Sequence, residues 1–519
     1  MGAGKKQKSK NPTADLQGDL NAKALQSDRS ASSKRKRLNG ISDIRRFFHR
    51  NTEPIYFISA TNFNLLGMDE WIRNFNFLSA IDCFDGKHPH VYVPPEIPHE
   101  PFESIEDINN YLLSHPDLLK LLRDRGANGK NGKAVFLMFD EKTEALCKKA
   151  GLEVCFPPAA LRTKIDDKVE TTRIAERAGV KCVPNVLAKV DSYEMLRKVS
   201  KKLGEDLVIQ TAFGDSGHTT YFISNEKEFK KYEKDIVAAP EVKVMKRINC
   251  RGSALEACVT RHGTIVGPLM TELVGFPELT PYKGGWCGNE VFAGAFQSKT
   301  RKEARNAAIA FGDELKKLGY RGYFEIDFLT DLDTGKVYLG ECNPRITGAS
   351  SMTNLSAFAH ADAPLFVFHL LEWMGVDYDL DVEALNTRWA DPDNIDSWSQ
   401  LVIKHTKDSV AQITEAPPSG IWELSDSKQI RYVRPQTHRR TVHTENRAFW
   451  LRIAGKGDYF YEGADLGILV SPGRFMDDDF KLTDRAKAWI KGIRSQYQVT
   501  PIAAADSMIE AHQHEFKLL

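Results

Sequence analysis

Two runs of this chain read Gly322-Tyr-Phe-Glu-Ile-Asp327-Phe and Val337-Tyr-Leu-Gly-Glu341-Cys-Asn343-Pro-Arg345, with a short polar turn between them. Their β-branched and aromatic content predicts a hairpin, and its pairing would bring Asp327, Glu341 and Asn343 side by side. Oxygen ligands on neighbouring strands suit Mg²⁺ or Mn²⁺, because such an ion takes the rest of its shell from water and substrate phosphates. Arg345 lies two residues beyond Asn343, where it could hold a transferring phosphoryl group. The pattern predicts a hard-cation site, and its alternative is a surface hairpin with ordinary acidic residues.

Length and composition predict how the chain is divided. At 519 residues and 42% hydrophobic content it can bury a large core, and we expect roughly three domains behind a polar tail. Strands alternating with helices indicate an α/β and α+β fold. The boundaries we predict are a disordered basic tail over 1–50, an N-terminal α/β domain over 51–163, a central domain over 164–390 and a C-terminal lobe over 391–519.

Charge and cysteine usage limit the compartment and the partners. Residues 1–50 hold 13 Lys and Arg against 4 Asp, while the whole chain has a net charge of +1. We expect this tail to be solvated, without nucleic acid as a dedicated partner. The eight cysteines form no C-x-x-C pair, which favours free thiols in a reducing compartment. No apolar run approaches the ~20 residues of a membrane span, so we expect a cytoplasmic protein.

A glycine-rich loop follows a predicted strand over 207–210. The loop reads Gly214-Asp-Ser-Gly-His-Thr-Thr220 and leads into a second strand. Glycines between two strands let backbone N–H groups close over phosphates, and hydroxyl groups add donors. The candidate phosphate contacts are Gly214, Ser216, Gly217, His218 and Thr219. A plain hairpin is the alternative, because the sequence is neither a Walker loop nor a dinucleotide fingerprint.

Further candidates lie on either side of this loop. A helix is predicted over 164–179, ended by a glycine, and it contains Lys168. An alternating strand, Val242-Lys-Val-Met-Lys246, continues into Arg247 and Ile248, and backbone groups at its end could contact an adenine edge. Glu256 lies within the next strand, where it suits either a nucleotide hydroxyl or a buried basic partner.

In this order, the pieces resemble the ATP-grasp superfamily over residues 54–390, and Glu341-Cys-Asn343-Pro-Arg345 carries most of the resemblance. The resemblance implies ATP held between two α+β lobes, Mg²⁺ on its phosphates, and a carboxylate activated as an acyl phosphate with release of ADP. It also implies roles for single residues. Lys168 would meet the phosphates, Lys246, Arg247 and Ile248 would contact adenine, and Glu256 would serve nucleotide binding. Asp327, Glu341 and Asn343 would hold Mg²⁺, and Arg345 would steady the acyl phosphate.

Gln210 departs from the family's pattern, which usually has a lysine at the end of the strand before the glycine loop. An amide donates a hydrogen bond but supplies no charge, so the ATP affinity is left open. If the charge is simply missing, Gln210→Lys should tighten ATP binding. If another cation already fills this space, the added charge should be repelled.

Three functions are compatible with this reading. The first is an ATP-dependent ligase that joins a small-molecule carboxylate to an amine. The second is a biotin carboxylase-like enzyme, although Ala349 stands where that group's glutamate base is expected and no biotin carrier follows. The third is a non-catalytic ATP-binding regulatory protein, which Gln210 alone favours. The sequence leaves the two substrates and homodimer formation open.

Overall fold

The computed structural model describes residues 37–95, 102–126, 130–213 and 219–502. The strands of these ranges are β1 Leu38–Asn39, β2 Ile55–Ser59, β3 Phe75–Ser79, β4 Val91–Tyr92, β5 Gly132–Phe136, β6 Leu152–Val154, β7 Asn185–Ala188, β8 Leu207–Gln210, β9 Thr220–Ile223, β10 Val242–Lys246, β11 Cys250–Thr260, β12 Gly263–Val274, β13 Trp286–Val291, β14 Gly322–Asp331, β15 Val337–Asn343, β16 Tyr378–Asp379, β17 Trp398–Lys404, β18 Ala411–Glu415, β19 Gly420–Leu424, β20 Ile430–Arg434, β21 Arg447–Arg452, β22 Tyr459–Phe460, β23 Asp465–Pro472 and β24 Gln498–Pro501. The α-helices are α1 Gly40–His49, α2 Ile105–Ser114, α3 Pro116–Arg125, α4 Glu141–Lys149, α5 Ala159–Asp166, α6 Lys168–Arg177, α7 Tyr193–Val199, α8 Glu226–Ala238, α9 Ser298–Lys317, α10 Ser350–Asn354, α11 Ala357–Ala361, α12 Leu365–Trp373, α13 Val382–Trp389 and α14 Asp484–Arg494.

The N-terminal part contains a parallel five-stranded sheet in the order β4-β3-β2-β5-β6. Its central strands β2, β3 and β5 are buried at every position, as expected for parallel strands covered by helices on both faces. The predicted leading α/β unit is therefore confirmed as an element of the fold.

The segment over 40–49 was expected to belong to a disordered tail, and this expectation is wrong. It forms α1, because Ile44 and Phe48 lie four residues apart on one helical face and both are buried in the core. The remainder of the predicted tail, residues 1–36, lies outside the described residues.

A second departure occurs where one helix was predicted over 164–179. The chain forms α5 and α6 instead, separated by Asp167, whose extended backbone interrupts the helix. The Asp167 carboxylate accepts hydrogen bonds from the N–H groups of Val169 and Glu170 at 2.8 and 3.1 Å, which caps α6. This break makes Lys168 the first residue of a helix.

Four further sheets carry the remaining described strands, among them a parallel pair of β1 with β16 and a three-stranded sheet in the order β22-β18-β24. A small antiparallel sheet has the order β7-β10-β8-β9, and a ten-stranded sheet has the order β15-β14-β11-β12-β13-β17-β23-β21-β19-β20. The link at β13 and β17 is a regular antiparallel ladder, with Asn289 opposite Gln400. Strands from before and after residue 390 therefore belong to one hydrogen-bonded sheet. Across the described ranges, no helix is long and apolar enough to cross a membrane.

Candidate functional site

The predicted hairpin is confirmed by β14 and β15, which pair antiparallel across a short turn. Asp327 lies opposite Glu341, and Glu325 lies opposite Asn343, so the four side chains share one face of the sheet. Gly340 is the extra residue of a β-bulge beside Glu341. Strand register thus brings together the three residues that the sequence predicts as metal ligands.

This face of the sheet carries an excess of negative charge. Glu256 on β11 pairs with Glu325, and Glu272 on β12 approaches the same face next to Gly252. Burial, with repulsion among these carboxylates, raises the pKa of Glu325 and Asp327, and it raises the pKa of Glu272 to about 7. Buried carboxylates of this density need protons or a cation to balance them.

The Asn343 amide and the Arg345 guanidinium are hydrogen-bonded to each other. Asn343 Nδ2 donates to Glu325 Oε2 at 3.1 Å and to Asp327 Oδ2 at 3.2 Å, while its Oδ1 accepts from Arg345 Nη2 at 2.7 Å. Arg345 Nε is buried and has no partner among the described residues. For Asn343 Oδ1 to ligate a cation, the amide must turn, and this would release Arg345.

Lys168 connects the start of α6 to the hairpin. Its Nζ lies 2.9 Å from Glu341 Oε2, and its backbone N–H donates to Ala212 O at 2.9 Å, just before the glycine-rich loop. Burial alone would raise the pKa of Glu341, but the charge and hydrogen bond of Lys168 lower it. A positive side chain thus contacts the carboxylate face, while its backbone is bonded to the segment that follows β8.

The fold and this geometry can be compared with known proteins. No family model matches the chain. Among curated proteins, the D-alanine–D-alanine ligase of Clostridium acetobutylicum is 25% identical over 251 residues, which cover 45% of this chain and 70% of that enzyme. The mitochondrial pyruvate carboxylase of Rattus norvegicus is 25% identical over 116 residues, which cover 22% of this chain and only 10% of the carboxylase.

Solved structures match over a greater length. A biotin carboxylase β,γ-ATP complex from Campylobacter jejuni superimposes with a TM-score of 0.57 at 15% identity, covering 88% of this chain and 94% of that one. An ADP complex of an N5-carboxyaminoimidazole ribonucleotide synthetase gives 0.52 at 12% identity, covering 86% and 98%. The chain has the ATP-grasp fold.

Of the predicted phosphate contacts in the glycine-rich loop, Thr219 is described. Gly214, Ser216, Gly217 and His218 lie outside the described residues. Thr219 directly precedes β9, and its carbonyl accepts a hydrogen bond from the Thr211 N–H at 3.3 Å. The strands β8 and β9 on either side of this segment pair antiparallel, and the predicted phosphate contacts stay a prediction.

Gln210 ends β8 at the edge of the site. Its Nε2 donates to Thr220 Oγ1 at 3.3 Å, while its Oε1 is buried without a hydrogen-bond partner in the described residues. The residue directly opposite it on β10 is Lys243. Lys243 Nζ donates to Gly340 O at 3.0 Å, so a cation that the sequence analysis did not select lies beside the bulge of the hairpin.

The predicted adenine segment lies at the end of β10, where the small sheet meets the large one. The backbone N–H groups of Lys246 and Arg247 donate to Pro184 O and Asp206 O, at 2.9 and 3.0 Å. These two donors are therefore already used, and an adenine edge would have to rely on the carbonyl groups and on Ile248. Ile248 packs against a small apolar cluster that contains Met245.

Glu256 lies opposite Glu325 in the sheet, and its predicted role in nucleotide binding stays a prediction. Its side chain is fully buried and accepts hydrogen bonds from Tyr323 Oη at 2.6 Å, Ser350 Oγ at 2.5 Å and Thr347 Oγ1 at 3.0 Å. The three contacts come from hydroxyl groups and not from the basic partner that the sequence offered as an alternative. The carboxylate is held by hydroxyl groups instead, and it supports the turn that follows Arg345.

Three charged residues of the site were not selected from the sequence. Glu325 precedes Asp327 by two positions, so period-two alternation in one strand was a sufficient signal for it. The only sequence signal for Lys243 was its position between two valines of β10. Glu272 carried no local signal, because its approach to the site depends on how β12 pairs with β11.

Proposed function

We propose that this protein is an ADP-forming ligase, which uses ATP to activate a carboxylate as an acyl phosphate for attack by an amine. The product is an amide or peptide-like bond. The observation that carries the proposal is the convergence of Asp327, Glu341, Asn343, Arg345 and Lys168 at one end of the hairpin. Carboxylates, an amide and two cations in this order are the parts that phosphoryl transfer needs.

The donor chemistry of the hairpin fits a magnesium ion. Asp327 and Glu341 offer carboxylate oxygens, and Asn343 adds an amide oxygen once it turns from Arg345. In the described residues, no group of three His, Cys, Asp or Glu side chains is placed to hold a metal ion by itself, so an ion here would need water and phosphate oxygens for the rest of its shell. Bound there, the ion would neutralise charge on the β- and γ-phosphates.

The protein's cations then act on defined atoms. Lys168, at the start of α6, would bind phosphate oxygens beside Glu341. Arg345, released by Asn343, would hold the oxygens of the transferred phosphoryl group through its planar guanidinium. Ile248 and the carbonyl groups near it would contact the adenine.

The proposed reaction has two displacements. A carboxylate oxygen of the first substrate attacks the γ-phosphorus, the bond from that phosphorus to the β,γ-bridging oxygen breaks, and ADP leaves. The amine nitrogen of the second substrate then attacks the acyl carbon. The acyl carbon–oxygen bond breaks, phosphate leaves with that oxygen, and the amine loses a proton to a base or to water.

An isotope experiment tests this proposal. The full-length protein is incubated with ATP, Mg²⁺, pooled amines and carboxylates labelled with ¹⁸O, and nucleotide and phosphate products are separated. We expect ADP rather than AMP, formed only when both substrate classes are present, with ¹⁸O transferred into inorganic phosphate. Formation of AMP, or release of unlabelled phosphate at the same rate without carboxylates, would contradict the proposal.

A biotin carboxylase-like function is the second candidate, and the structural match to a biotin carboxylase over 88% of this chain favours it. It requires bicarbonate in place of the organic carboxylate. Its weak point is Ala349, a small buried residue at the position where a glutamate base is expected. Labelled bicarbonate in the same assay distinguishes the two, because only the carboxylase would move its ¹⁸O into phosphate without an organic acid.

A further inference from the structure

The pairing of β8 with β10 places a lysine opposite Gln210, the position at which the ATP-grasp pattern usually has a lysine. Gln210 and Lys243 are directly paired in the antiparallel ladder. Directly opposite residues have their Cβ atoms about 5 Å apart and project from the same face of a sheet. Lys243 therefore occupies the same side of the small sheet as Gln210, one strand away.

Lys243 is fully buried, which is rare for a lysine unless it has a specific partner. Its Nζ donates to the carbonyl oxygen of Gly340, the bulge residue immediately before Glu341. This bond joins the small sheet to the hairpin of the large sheet. It also fixes the backbone from which the Glu341 carboxylate projects.

The charges around Lys243 belong to the proposed nucleotide site. Burial lowers its pKa, Cys182 and Glu341 counter this shift, and Lys168 adds to it. Lys168 contacts the Glu341 carboxylate directly, with its Nζ 2.9 Å from Oε2. Glu341 thus interacts electrostatically with a lysine from α6 and with a lysine from β10.

We propose that Lys243 is a positioning residue of the nucleotide site, which supplies from β10 the positive charge that Gln210 does not supply from β8. The inference rests on the proposed function, since it assumes that ATP·Mg²⁺ binds at the hairpin. Lys243 acts through Gly340 and Glu341 and through its field, and it does not touch the phosphates.

The arrangement also explains why position 210 is neutral. A lysine there would stand directly opposite Lys243, and like charges opposite each other in a ladder destabilise it. Gln210 instead uses its Nε2 to bond Thr220, the first residue of β9. We therefore expect the site to accommodate a positive side chain at position 210 or at position 243, but not at both without a loss of stability.

A double-mutant cycle on the full-length protein tests this inference. The variants are Lys243→Gln, Gln210→Lys and the two combined, and the measurement is isothermal titration with Mg²⁺ and a non-hydrolysable ATP analogue, then with AMP. We expect Lys243→Gln to weaken the analogue about ten-fold and AMP less than about two-fold, because AMP lacks the β- and γ-phosphates. We expect Gln210→Lys to restore the analogue's affinity in the Lys243→Gln background. In the wild-type background it should change that affinity less than about two-fold and lower the melting temperature of the free protein.

Two controls separate a charge effect from a loss of packing. Lys133→Gln removes another buried lysine, which lies in the N-terminal sheet, and it should leave analogue binding unchanged. Lys201→Gln removes a lysine at an exposed position, and it should also leave analogue binding unchanged. A merely structural role for Lys243 would weaken AMP and the ATP analogue equally, and restoring charge at 210 would not rescue it.

The outcomes are distinct. Equal tightening of the analogue by Gln210→Lys in both backgrounds, or unchanged binding in Lys243→Gln, overturns the inference while the proposed function stands. Failure of the wild-type protein to bind the analogue with Mg²⁺ overturns the proposed function. If no Lys243 variant folds, Gln210→Lys still decides, because about five-fold tighter binding at an unchanged melting temperature would contradict the inference.

Discussion

The hairpin of the large sheet and the small four-stranded sheet contribute opposite charges to one site. The hairpin supplies carboxylates held in a ladder of ten strands, and it presents them in a fixed register. The small sheet, with the start of α6, supplies Lys168 and Lys243. Because acids and cations come from different sheets, the strength of the site depends on how closely the two bodies approach. Each of the following changes acts on one side of this comparison.

The largest effect is expected on the acidic side. Glu341→Gln keeps the volume of the side chain but removes the carboxylate that Lys168 contacts and that we assign to the metal. Turnover should fall at least about 100-fold, because charge on the phosphates is no longer neutralised in place. ADP release measures this change. Glu303→Gln, at an exposed position of α9, is the matched control and should behave as wild type.

A smaller loss is expected when the cationic side is changed. Lys168→Met removes a charge-assisted hydrogen bond and should weaken the binding of an ATP analogue about 30-fold, with AMP little affected. Isothermal titration checks both ligands. Equal weakening of AMP would mean that Lys168 orders the start of α6 and does not bind phosphates.

The pH dependence of stability sharpens the comparison further. The pKa of Glu272 is raised to about 7 in the folded chain from an ordinary value of 4.5, so its protonated form stabilises the fold. This contribution is complete below about pH 4.5 and is lost as pH rises through 7. The melting temperature of the metal-free protein should therefore fall from pH 5 to pH 8.

Two comparisons isolate the contribution of Glu272. Glu272→Gln should reduce the fall of the melting temperature between pH 5 and pH 8, and Glu303→Gln should leave it unchanged. Added Mg²⁺ should raise the melting temperature at pH 8 more than at pH 5, since the ion competes with protons for the carboxylate face. A slope that is unchanged in Glu272→Gln would show that another group titrates.

The smallest effect on nucleotide binding is expected for Glu256, which lies on the acidic face but behind the site. Glu256→Ala leaves the hydroxyl groups of Tyr323, Ser350 and Thr347 without their acceptor and should cost about 2–4 kcal/mol of unfolding free energy. Affinity for the ATP analogue should change less than about two-fold. Chemical denaturation and titration of the same preparation measure both quantities. A large loss of affinity in a stably folded variant would restore Glu256 to the nucleotide site.

The two regions also differ in how far the sequence could predict them. The hairpin was predictable because its strands are adjacent in the chain, so alternation and a short turn fix which side chains meet. Asp327, Glu341 and Asn343 follow from this local register. The pairing of Gln210 with Lys243 was not predictable, because the strands are separated by β9 and α8 and nothing local fixes their register.

Two other features could not be predicted for the same reason, because they depend on distant contacts. Composition placed residues 40–49 in a disordered tail, but burial of Ile44 and Phe48 in the core stabilises α1. Nothing in the sequence indicated that Glu256 accepts hydrogen bonds from hydroxyl groups in the turn after Arg345. In both cases the decisive partner lies far away in the sequence.

The continuity of the ten-stranded sheet has a consequence for how the protein is made. The hairpin and its neighbours β11 to β13 leave the ribosome before β17, yet β13 has β17 as its partner on one side. Until β17 arrives, β13 is an open edge that can pair with another chain. We therefore expect the ten-stranded sheet to be completed only after β17 is synthesised, and a chain truncated near residue 390 should aggregate. The C-terminal segment thus supplies the strand that covers the edge of β13.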